Sequence, residues 1–586
     1  MVEFAIIKDG LSPGQLVVVG IFIFAGTLMN MYMLHMFINI CRALWTTRFF
    51  TDKHKEGGFI AIGAEPEVTI QICVYNEASV IQPTINAACQ VDWPKDKLFV
   101  QILDDSSDNT SEIIEKLAEE WRTRGVNCQR LTRPTRVGYK AGNLHAHSED
   151  VRGDFVALFD ADHRCEPDYL RKAIPHFFNE DGSDKEKVGL VATPWAYYNT
   201  SQNLLTEYDT LVLDYVFGVD RVALAGAQNF FGFNGTGGVW RQAAIDAAGG
   251  WKWDTVTEDL DTSVLAHMAG YEFVYLRHLP QELESTGNIL AHRKQKRRWT
   301  KGRWQILRKR MGDVALSSSI ALKTKVEMFF HLTVSMTYPI ALISAILAPV
   351  VASYGAFTLG LLIYVNGFNT FVFVSGILTA SFGKISRNGS YQAPHARIVR
   401  AILMIPVEMA FAVGMSVFET AATIDGWFSD DATFHRTAKA GSGGYGMYKN
   451  EVDSVVASEQ AHDEDGNVKA KKKKKSYENE HLEAILGLLF AVYDCVWIAI
   501  NVKSKAVTQD PIAIFMGIVV PLMASIGLTY MHGWFLYELV LRYIQQGKQR
   551  KDAFQNSGET TKNKEMVRDD TFGESYNDYE SSECSA

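Results

Sequence analysis

The sequence has few cysteines, and none of them are closely spaced. Its 586 residues include seven cysteines, and no two form a CxxC pair. A structural zinc site or a disulfide framework would normally need closely spaced or regularly paired cysteines. The chain also lacks an excess of basic residues, because 67 Asp and Glu outnumber 58 Lys and Arg and give a net charge of −9. We therefore expect neither a zinc domain nor a nucleic-acid partner.

The sequence does contain long apolar runs, which hold much of its 47% hydrophobic content. The first run covers residues 16–37, which is long enough to cross roughly 30 Å of hydrocarbon. It lacks the basic start and the small-residue cleavage site of a signal peptide, so we expect a retained membrane anchor. Later apolar runs lie at 329–351, 357–382, 401–418, 482–500 and 511–540. These runs predict a protein of the lipid bilayer with a soluble insertion.

The basic residues predict which side of the membrane each segment occupies. Lys and Arg cluster after the first apolar run, before the second, and at 384–400, 469–475 and 548–551. The positive-inside rule places all these clusters in the cytosol, so residues 401–418 should not cross the membrane. Glu408 and Glu419 favour a short amphipathic helix at the interface instead. This leaves five spans, an external N-terminus and a cytosolic C-terminus.

These features divide the chain into six segments. In residues 51–310, apolar runs alternate with polar helices at intervals that suit βαβ units and predict an α/β domain. Residues 545–586 are rich in polar residues and are expected to be disordered. The segments are an N-terminal membrane helix (1–50), a cytosolic α/β domain (51–310), interface and membrane helices (311–430), a loop with a basic insertion (431–480), further membrane helices (481–544) and the tail (545–586).

Polar residues follow the first two predicted strands, at 68–74 and 99–103. Tyr75, Asn76 and Glu77 follow the first strand, and Asp104, Asp105, Ser106 and Ser107 follow the second. Ligands of open α/β sheets bind at the carboxyl ends of strands, so both groups are candidates for contact with a nucleotide. The Asp105 carboxylate could accept hydrogen bonds from a base or a ribose. A turn capped by Asp and Ser is the alternative interpretation.

The next two signatures suit a diphosphate. Residues 133–143 combine cations with glycines, and Arg136 and Lys140 are candidates for phosphate contact; a solvated basic loop is the alternative. A third predicted strand, 155–159, ends at Asp160-Ala161-Asp162. Two carboxylates in this position could hold Mg²⁺ or Mn²⁺ against a diphosphate, although an Asp-rich turn would have the same sequence.

Residues 257–261 open a predicted helix that continues to Met268. Its first residues include Glu258 and Asp259, and Asp259 is the candidate general base for deprotonating an acceptor hydroxyl. Acidic residues also stabilise the N-terminus of any helix, which is the structural alternative. Taken together, the ordered signatures supply what transfer of a sugar from a nucleotide diphosphate needs.

Ten Lys or Arg residues lie between His292 and Arg310, just before the second apolar run. We expect most of them to be juxtamembrane anchors. Gln295, Arg298 and Trp299 have a more specific prediction. Arg298 could neutralise a departing diphosphate, and Trp299 offers a flat face to a sugar ring.

These motifs resemble the D, DxD, TED and QxxRW series of processive family 2 glycosyltransferases, the cellulose-synthase and hyaluronan-synthase group. The matching residues are Asp105, Asp160 with Asp162, Thr257-Glu258-Asp259, and Gln295 with Arg298 and Trp299, within about residues 68–439. Residues 231–241 and 249–251 most resemble plant cellulose-synthase-like enzymes that make mannan, glucomannan or the glucan backbone of xyloglucan. The resemblance implies a cytosolic GT-A domain and a channel for the growing polymer.

Residues 434–439 resemble the FxVTxK gating loop of cellulose synthases, with Arg436 in place of Val. The resemblance implies that Thr437 and Lys439 contact the diphosphate. A polar linker is the alternative interpretation of this segment.

The motifs and the resemblance lead to one expected function. We expect a processive, inverting β-glycosyltransferase that elongates a β-1,4-linked polysaccharide from GDP-mannose or UDP-glucose and extrudes it across a Golgi or plasma membrane. A chitin- or hyaluronan-type synthase, single transfer to a lipid phosphate, and a transporter with a nucleotide-sensing domain are the alternatives. The sequence does not determine whether the chain is a monomer or a homo-oligomer.

Overall fold

The computed structural model describes residues 11–49, 57–354, 369, 371–379, 394–434, 483, 485–498, 522, 526 and 529. The basic insertion at 469–475, the tail at 545–586, and most of the predicted spans at 357–382 and 511–540 lie outside the described residues. The described part contains one α/β domain and several long apolar helices.

A seven-stranded, mostly parallel sheet forms the centre of the α/β domain. The described residues of the domain form nine strands, seven in this sheet and two in a separate small sheet. The strands are β1 (Val68–Val74), β2 (Leu98–Asp104), β3 (Asn127–Leu131), β4 (Phe155–Asp160), β5 (Val188–Ala192), β6 (Trp195–Tyr197), β7 (Gly238–Arg241), β8 (Glu272–Tyr275) and β9 (Gln281–Leu283). The order in the large sheet is β3-β2-β1-β4-β7-β5-β8. β7 is antiparallel to both of its neighbours, whereas β6 and β9 pair with each other.

The central strands form because their residues suit burial on both faces of a sheet. β1 and β2 consist mainly of Val, Ile, Leu and Phe, as expected for parallel strands covered by helices. Gln71 and Gln101 lie opposite each other in the register, and Gln71 Nε2 donates to Gln101 Oε1 over 3.0 Å. This pairing gives the buried Gln101 Oε1 a donor inside the sheet.

Three of the nine strands were predicted, and β3 is one of those that were not. The predicted third strand at 155–159 is the fourth strand, because β3 precedes it at the edge of the sheet. The sequence of β3 is Asn-Cys-Gln-Arg-Leu, and such a polar segment gives no hydrophobic signal. Pairing with β2 makes it a strand.

The helices cover the sheet and connect it to the apolar part of the chain. They are α1 (Pro13–Phe49), α2 (Ile81–Cys89), α3 (Thr110–Thr123), α4 (Tyr139–Ala146), α5 (Tyr169–Ala173), α6 (Leu204–Tyr215), α7 (Arg221–Gly226), α8 (Gln242–Ala247), α9 (Glu258–Met268), α10 (Ile289–Leu316), α11 (Leu322–Thr333), α12 (Thr337–Ala352) and α13 (Pro394–Phe428). Short 3₁₀ segments lie at Ile174–Phe177 and Val334–Met336, and a π-helical turn lies at Val216–Asp220.

Three described segments are long and apolar enough to cross a membrane: Pro13–Thr47, Leu322–Val351 and Ile398–Phe428. The first two coincide with predicted spans. The prediction of a short helix at 401–418 is wrong, because α13 has 35 residues. Glu408 and Glu419 are 6% and 1% exposed, so they face neighbouring protein and do not form a polar surface. The interfacial position of this helix stays a prediction.

α10 connects the α/β domain to the apolar helices. Its N-terminus is capped by Asn288, whose side chain accepts from the backbone of Leu290 and Ala291. Several of its basic residues have acidic partners in the protein, and the expectation that most are juxtamembrane anchors stays a prediction. The pairs are Arg297 with Glu483 (2.9 Å), Lys301 with Asp425 (3.2 Å), Arg310 with Asp261 (2.8 Å), and Arg308 with Asp430.

Candidate active site

A cleft of about 1130 Å³, including its open mouth, lies at the carboxyl ends of β1, β2 and β4. It brings together most of the predicted site residues, although they are far apart in sequence. The predicted residues that line it are Tyr75, Glu77, Asp105, Arg136, Lys140, Asp160, Asp162, Glu258, Asp259, Gln295, Arg298 and Trp299. Thr437 and Lys439 lie outside the described residues.

Asn76 is predicted to bind the donor, but it is not among the residues that line the cleft. Its Oδ1 accepts from the backbone N–H of Ser107 over 2.8 Å, and its own N–H donates to Ser106 Oγ over 2.9 Å. Its φ of 54° is in the left-handed region, which Asn tolerates better than most residues. Asn76 therefore ties the loop after β1 to the loop after β2.

Asp105 is held by an arginine whose pairing the sequence did not indicate. Arg133 donates from Nε and Nη2 to the two oxygens of Asp105, over 2.8 and 2.6 Å. The two side chains are 8% and 6% exposed. Arg133 also donates to the carbonyls of Val137 and Tyr139. One buried guanidinium therefore fixes both the Asp105 carboxylate and the loop before α4.

Arg136 lies between two aromatic rings at the cleft wall. Its guanidinium carbon is 3.3 Å from the ring centre of Tyr75 and 5.0 Å from that of Tyr139. Burial lowers the pKa of Arg136, while the nearby Tyr75 and Asp105 act in the opposite direction. The aromatic contacts hold the cation in place, so it is available to an anion in the cleft.

Lys140 connects two parts of the cleft. Its Nζ donates to Asp160 Oδ1 over 2.6 Å and to the carbonyl of Gly235 over 2.9 Å. Burial alone would lower the pKa of Lys140, but the Asp160 carboxylate and other acidic neighbours raise it overall. Lys140 therefore stays charged. It joins the end of β4 to the glycine-rich loop before β7, residues 231–237.

Asp160 and Asp162 suit a divalent ion whose other ligands are not protein. The Asp160 side chain is 37% exposed. Asp162 Oδ2 accepts from the backbone N–H of Glu284 over 3.2 Å. Among the described residues, no group of three or more His, Cys, Asp or Glu could hold a metal. Two carboxylates supplemented by phosphate oxygens and water are a common donor set for Mg²⁺, so these residues fit such an ion.

Asp259 lies in the first turn of α9, as predicted, and faces the glycine-rich loop. A Cβ added to Gly235 would lie 3.0 Å from Asp259 Oδ2, and Gly235 has a φ of 86° that favours glycine. Burial and the neighbouring Glu258 raise the pKa of Asp259 to about 7. The Leu260 N–H, Lys140 and Arg298 act in the opposite direction. A carboxylate with this pKa is suited to accept a proton near neutral pH.

Arg298 and Trp299 meet different aromatic residues at the other end of the cleft. The Arg298 guanidinium carbon is 4.3 Å from the ring centre of Phe434. Burial lowers the pKa of Arg298, while the nearby Glu258 and Asp259 act in the opposite direction. The Trp299 ring centre is 6.4 Å from that of Trp195. Trp195 belongs to no motif, and only the pairing of β6 with β9 brings it here.

Comparisons with known proteins find similar sequences. Residues 69–202 match the family described as "Glycosyl transferase family 2", and residues 155–377 match "Glycosyl transferase family group 2". Two similar proteins of Oryza sativa subsp. japonica are named "Probable glucomannan 4-beta-mannosyltransferase 11" and "7". The first is 36% identical over 46% of this chain and 47% of the relative. The second is 38% identical over 50% of this chain and 48% of the relative.

A mannosyltransferase from Pyrobaculum calidifontis, solved in complex with GDP-Man and Mn²⁺, is similar in structure. It has a TM-score of 0.45 and 18% identity, and the match covers 70% of this chain and 99% of that one.

The mostly parallel sheet, with the cleft at the ends of its strands, defines a GT-A glycosyltransferase domain. Over residues 69–377 the chain belongs to glycosyltransferase family 2, and its family relatives include the plant glucomannan mannosyltransferases, as the motifs predicted. The chain spans about half the length of the curated relatives it matches.

We expect Arg133→Leu to destabilise the domain strongly. The substitution leaves a buried Asp105 carboxylate without its bidentate partner, which typically costs about 3 kcal/mol or more. The matched control is Arg122→Leu, because Arg122 pairs with Glu119 on an exposed helix surface, where an ion pair contributes little to stability. The measurement is the thermal unfolding midpoint of the detergent-solubilised chain. Equal shifts for the two variants would contradict this role of Arg133.

Proposed function

We propose that the chain is a membrane-embedded, processive, inverting β-glycosyltransferase that elongates a β-1,4-linked mannan or glucomannan and extrudes it. GDP-mannose is the proposed donor and UDP-glucose the second candidate, because the plant relatives are named as glucomannan mannosyltransferases. Three apolar segments long enough to span a membrane support a membrane protein. By resemblance to the plant enzymes, we propose a Golgi or plasma-membrane location with the catalytic domain in the cytosol.

One observation carries the proposal. Asp259, with its raised pKa, lines the same cleft as Asp160, Asp162 and Arg298. A displacement with inversion needs a base on the acceptor side and positive charge on the leaving-group side in one space. The cleft contains both.

The donor end of the cleft would hold the nucleotide diphosphate. Asp105 would contact the nucleoside, while Arg136 and Lys140 would lie near its phosphates. Asp160 and Asp162 would hold the divalent ion, Mg²⁺ or Mn²⁺, whose charge when bound neutralises charge on the diphosphate.

The chemical step would take place between Asp259 and Arg298. Asp259 would remove the proton of the acceptor hydroxyl as its oxygen forms a bond to the anomeric carbon. The bond from that carbon to the diphosphate breaks at the same time, and the Arg298 guanidinium would stabilise the charge that develops there. Trp299 would support the last sugar of the acceptor chain, and contact of Thr437 and Lys439 with the diphosphate stays a prediction.

Donor incorporation tests this function directly. The full chain is incubated with radiolabelled GDP-mannose, UDP-glucose or UDP-N-acetylglucosamine, with and without Mn²⁺. We expect metal-dependent, ethanol-insoluble polymer from GDP-mannose, reduced about 10²- to 10⁴-fold in Asp259→Asn because the base is lost. Asp246→Asn, at an exposed position in α8, is the control. Label that enters only the lipid fraction would replace the processive synthase with single transfer to a lipid.

The pH dependence of transfer should report the Asp259 carboxyl. The base must be deprotonated, so kcat/KM should rise with pH and reach half its maximum at a pH of about 7, the pKa of Asp259. Arg298→Gln should move this midpoint to higher pH, because the positive charge of Arg298 lowers the Asp259 pKa.

The control for the pH experiment is Lys116→Gln, which removes an exposed positive charge on α3. It should leave the midpoint unchanged. A wild-type profile that is flat through neutral pH, or a midpoint that Arg298→Gln leaves in place, would exclude Asp259 as the titrating base.

A further inference from the structure

Gln305 is a fully buried residue of α10 whose side chain joins two separate segments of the site. It has 0% exposure. Its Oε1 accepts from the backbone N–H of Val256 over 3.1 Å. Its Nε2 donates to the carbonyls of Ser429 and Asp431, each over 3.1 Å. A glutamine amide has one acceptor end and two N–H donors, so this side chain uses both ends on backbone groups.

The first segment leads to the proposed base. Val256 lines the cleft and precedes Asp259 by three residues. α10 packs closely against this segment, because a Cβ at Gly302 would lie 2.2 Å from Thr257 Oγ1. Gly302 and Gln305 are three residues apart and share one helix face. That face therefore sets the position of the chain just before α9.

The second segment leads to Phe434. It follows α13, and it is also held by the ion pairs of Asp430 with Arg308 and of Asp431 with Lys301 (3.9 Å). Phe434 lines the cleft, where its ring packs on the Arg298 guanidinium and lies 6.3 Å from the Tyr139 ring. The segment thus places an aromatic ring between the donor-side loop and the leaving-group cation.

We propose that Gln305 is a positioning residue that fixes the Phe434 segment relative to the Asp259 segment. The inference rests on the proposed function. Through its Nε2, Gln305 holds Phe434 against Arg298 and so contributes to donor binding. Through its Oε1, it holds Val256 and so contributes to the position of the base. Loss of the two contacts should therefore have separate kinetic effects.

Two substitutions separate the contacts. Gln305→Glu keeps an acceptor for Val256 but supplies no donor to the two carbonyls when ionised. We expect it to raise the donor KM and the dissociation constant of GDP with Mn²⁺ about tenfold, at nearly unchanged kcat, as loss of about 1.4 kcal/mol would do. Gln305→Met removes both contacts and should lower kcat as well. Lys294→Met, at an exposed position of the same helix, is the control.

A double-mutant cycle with Phe434→Ala distinguishes positioning from general destabilisation. If Gln305 acts on donor binding through Phe434, Gln305→Glu should weaken GDP binding no further than about twofold in the Phe434→Ala background. A full additional effect in that background, or unchanged GDP binding in Gln305→Glu alone, would overturn the inference. This cycle uses only Gln305→Glu and Phe434→Ala, so it still tests the inference if the Gln305→Met variant fails to fold.

The same binding measurement separates the inference from the function on which it rests. If the wild-type chain and the Gln305→Glu variant bind GDP or UDP equally well, only the role of Gln305 is overturned. If the wild-type chain binds neither nucleotide, the proposed function is overturned, and the inference with it.

Discussion

The site depends on one largely buried ammonium group, that of Lys140. Its contacts with Asp160 and with the carbonyl of Gly235 connect the end of β4 to the glycine-rich loop. The same charge acts on Asp259, whose pKa it lowers against the effect of burial. A charge inside a protein is tolerated only when it is paired. Here the pairing also joins Asp160 to the loop that faces Asp259.

α10 provides the second constraint, because it contacts the catalytic domain and the apolar helices at once. Arg310 holds Asp261 of α9 on one side, and Thr300 donates to Glu419 of α13 on the other. Arg298 and Trp299 lie on the same helix, at the cleft. One continuous helix therefore connects Arg298 and Trp299 to both the catalytic domain and the apolar helices.

The sequence was most informative where structure is determined locally. β1 and β4 could be predicted because apolar runs end abruptly in polar residues, and the carboxyl edge of the sheet then brings Asp105 and Asp160 together. The missed features depend on tertiary contacts. β3 is a strand because β2 pairs with it, and the Asp105 pairing of Arg133 requires two loops to meet. No periodicity in one segment encodes either contact.

Three aspartates at one edge of the cleft differ in chemistry because their partners differ. Both oxygens of Asp105 are occupied by Arg133, so this carboxylate is fixed in orientation. Asp160 shares one oxygen with Lys140 and stays partly exposed. Asp259 accepts a hydrogen bond from the Leu260 N–H, and the cations that act on it lower its pKa less than burial and Glu258 raise it. The Asp259 arrangement leaves a carboxylate able to take up and release a proton near neutral pH. The proposal of Asp259 as the base therefore rests on the partners around this aspartate, which the TED motif alone does not specify.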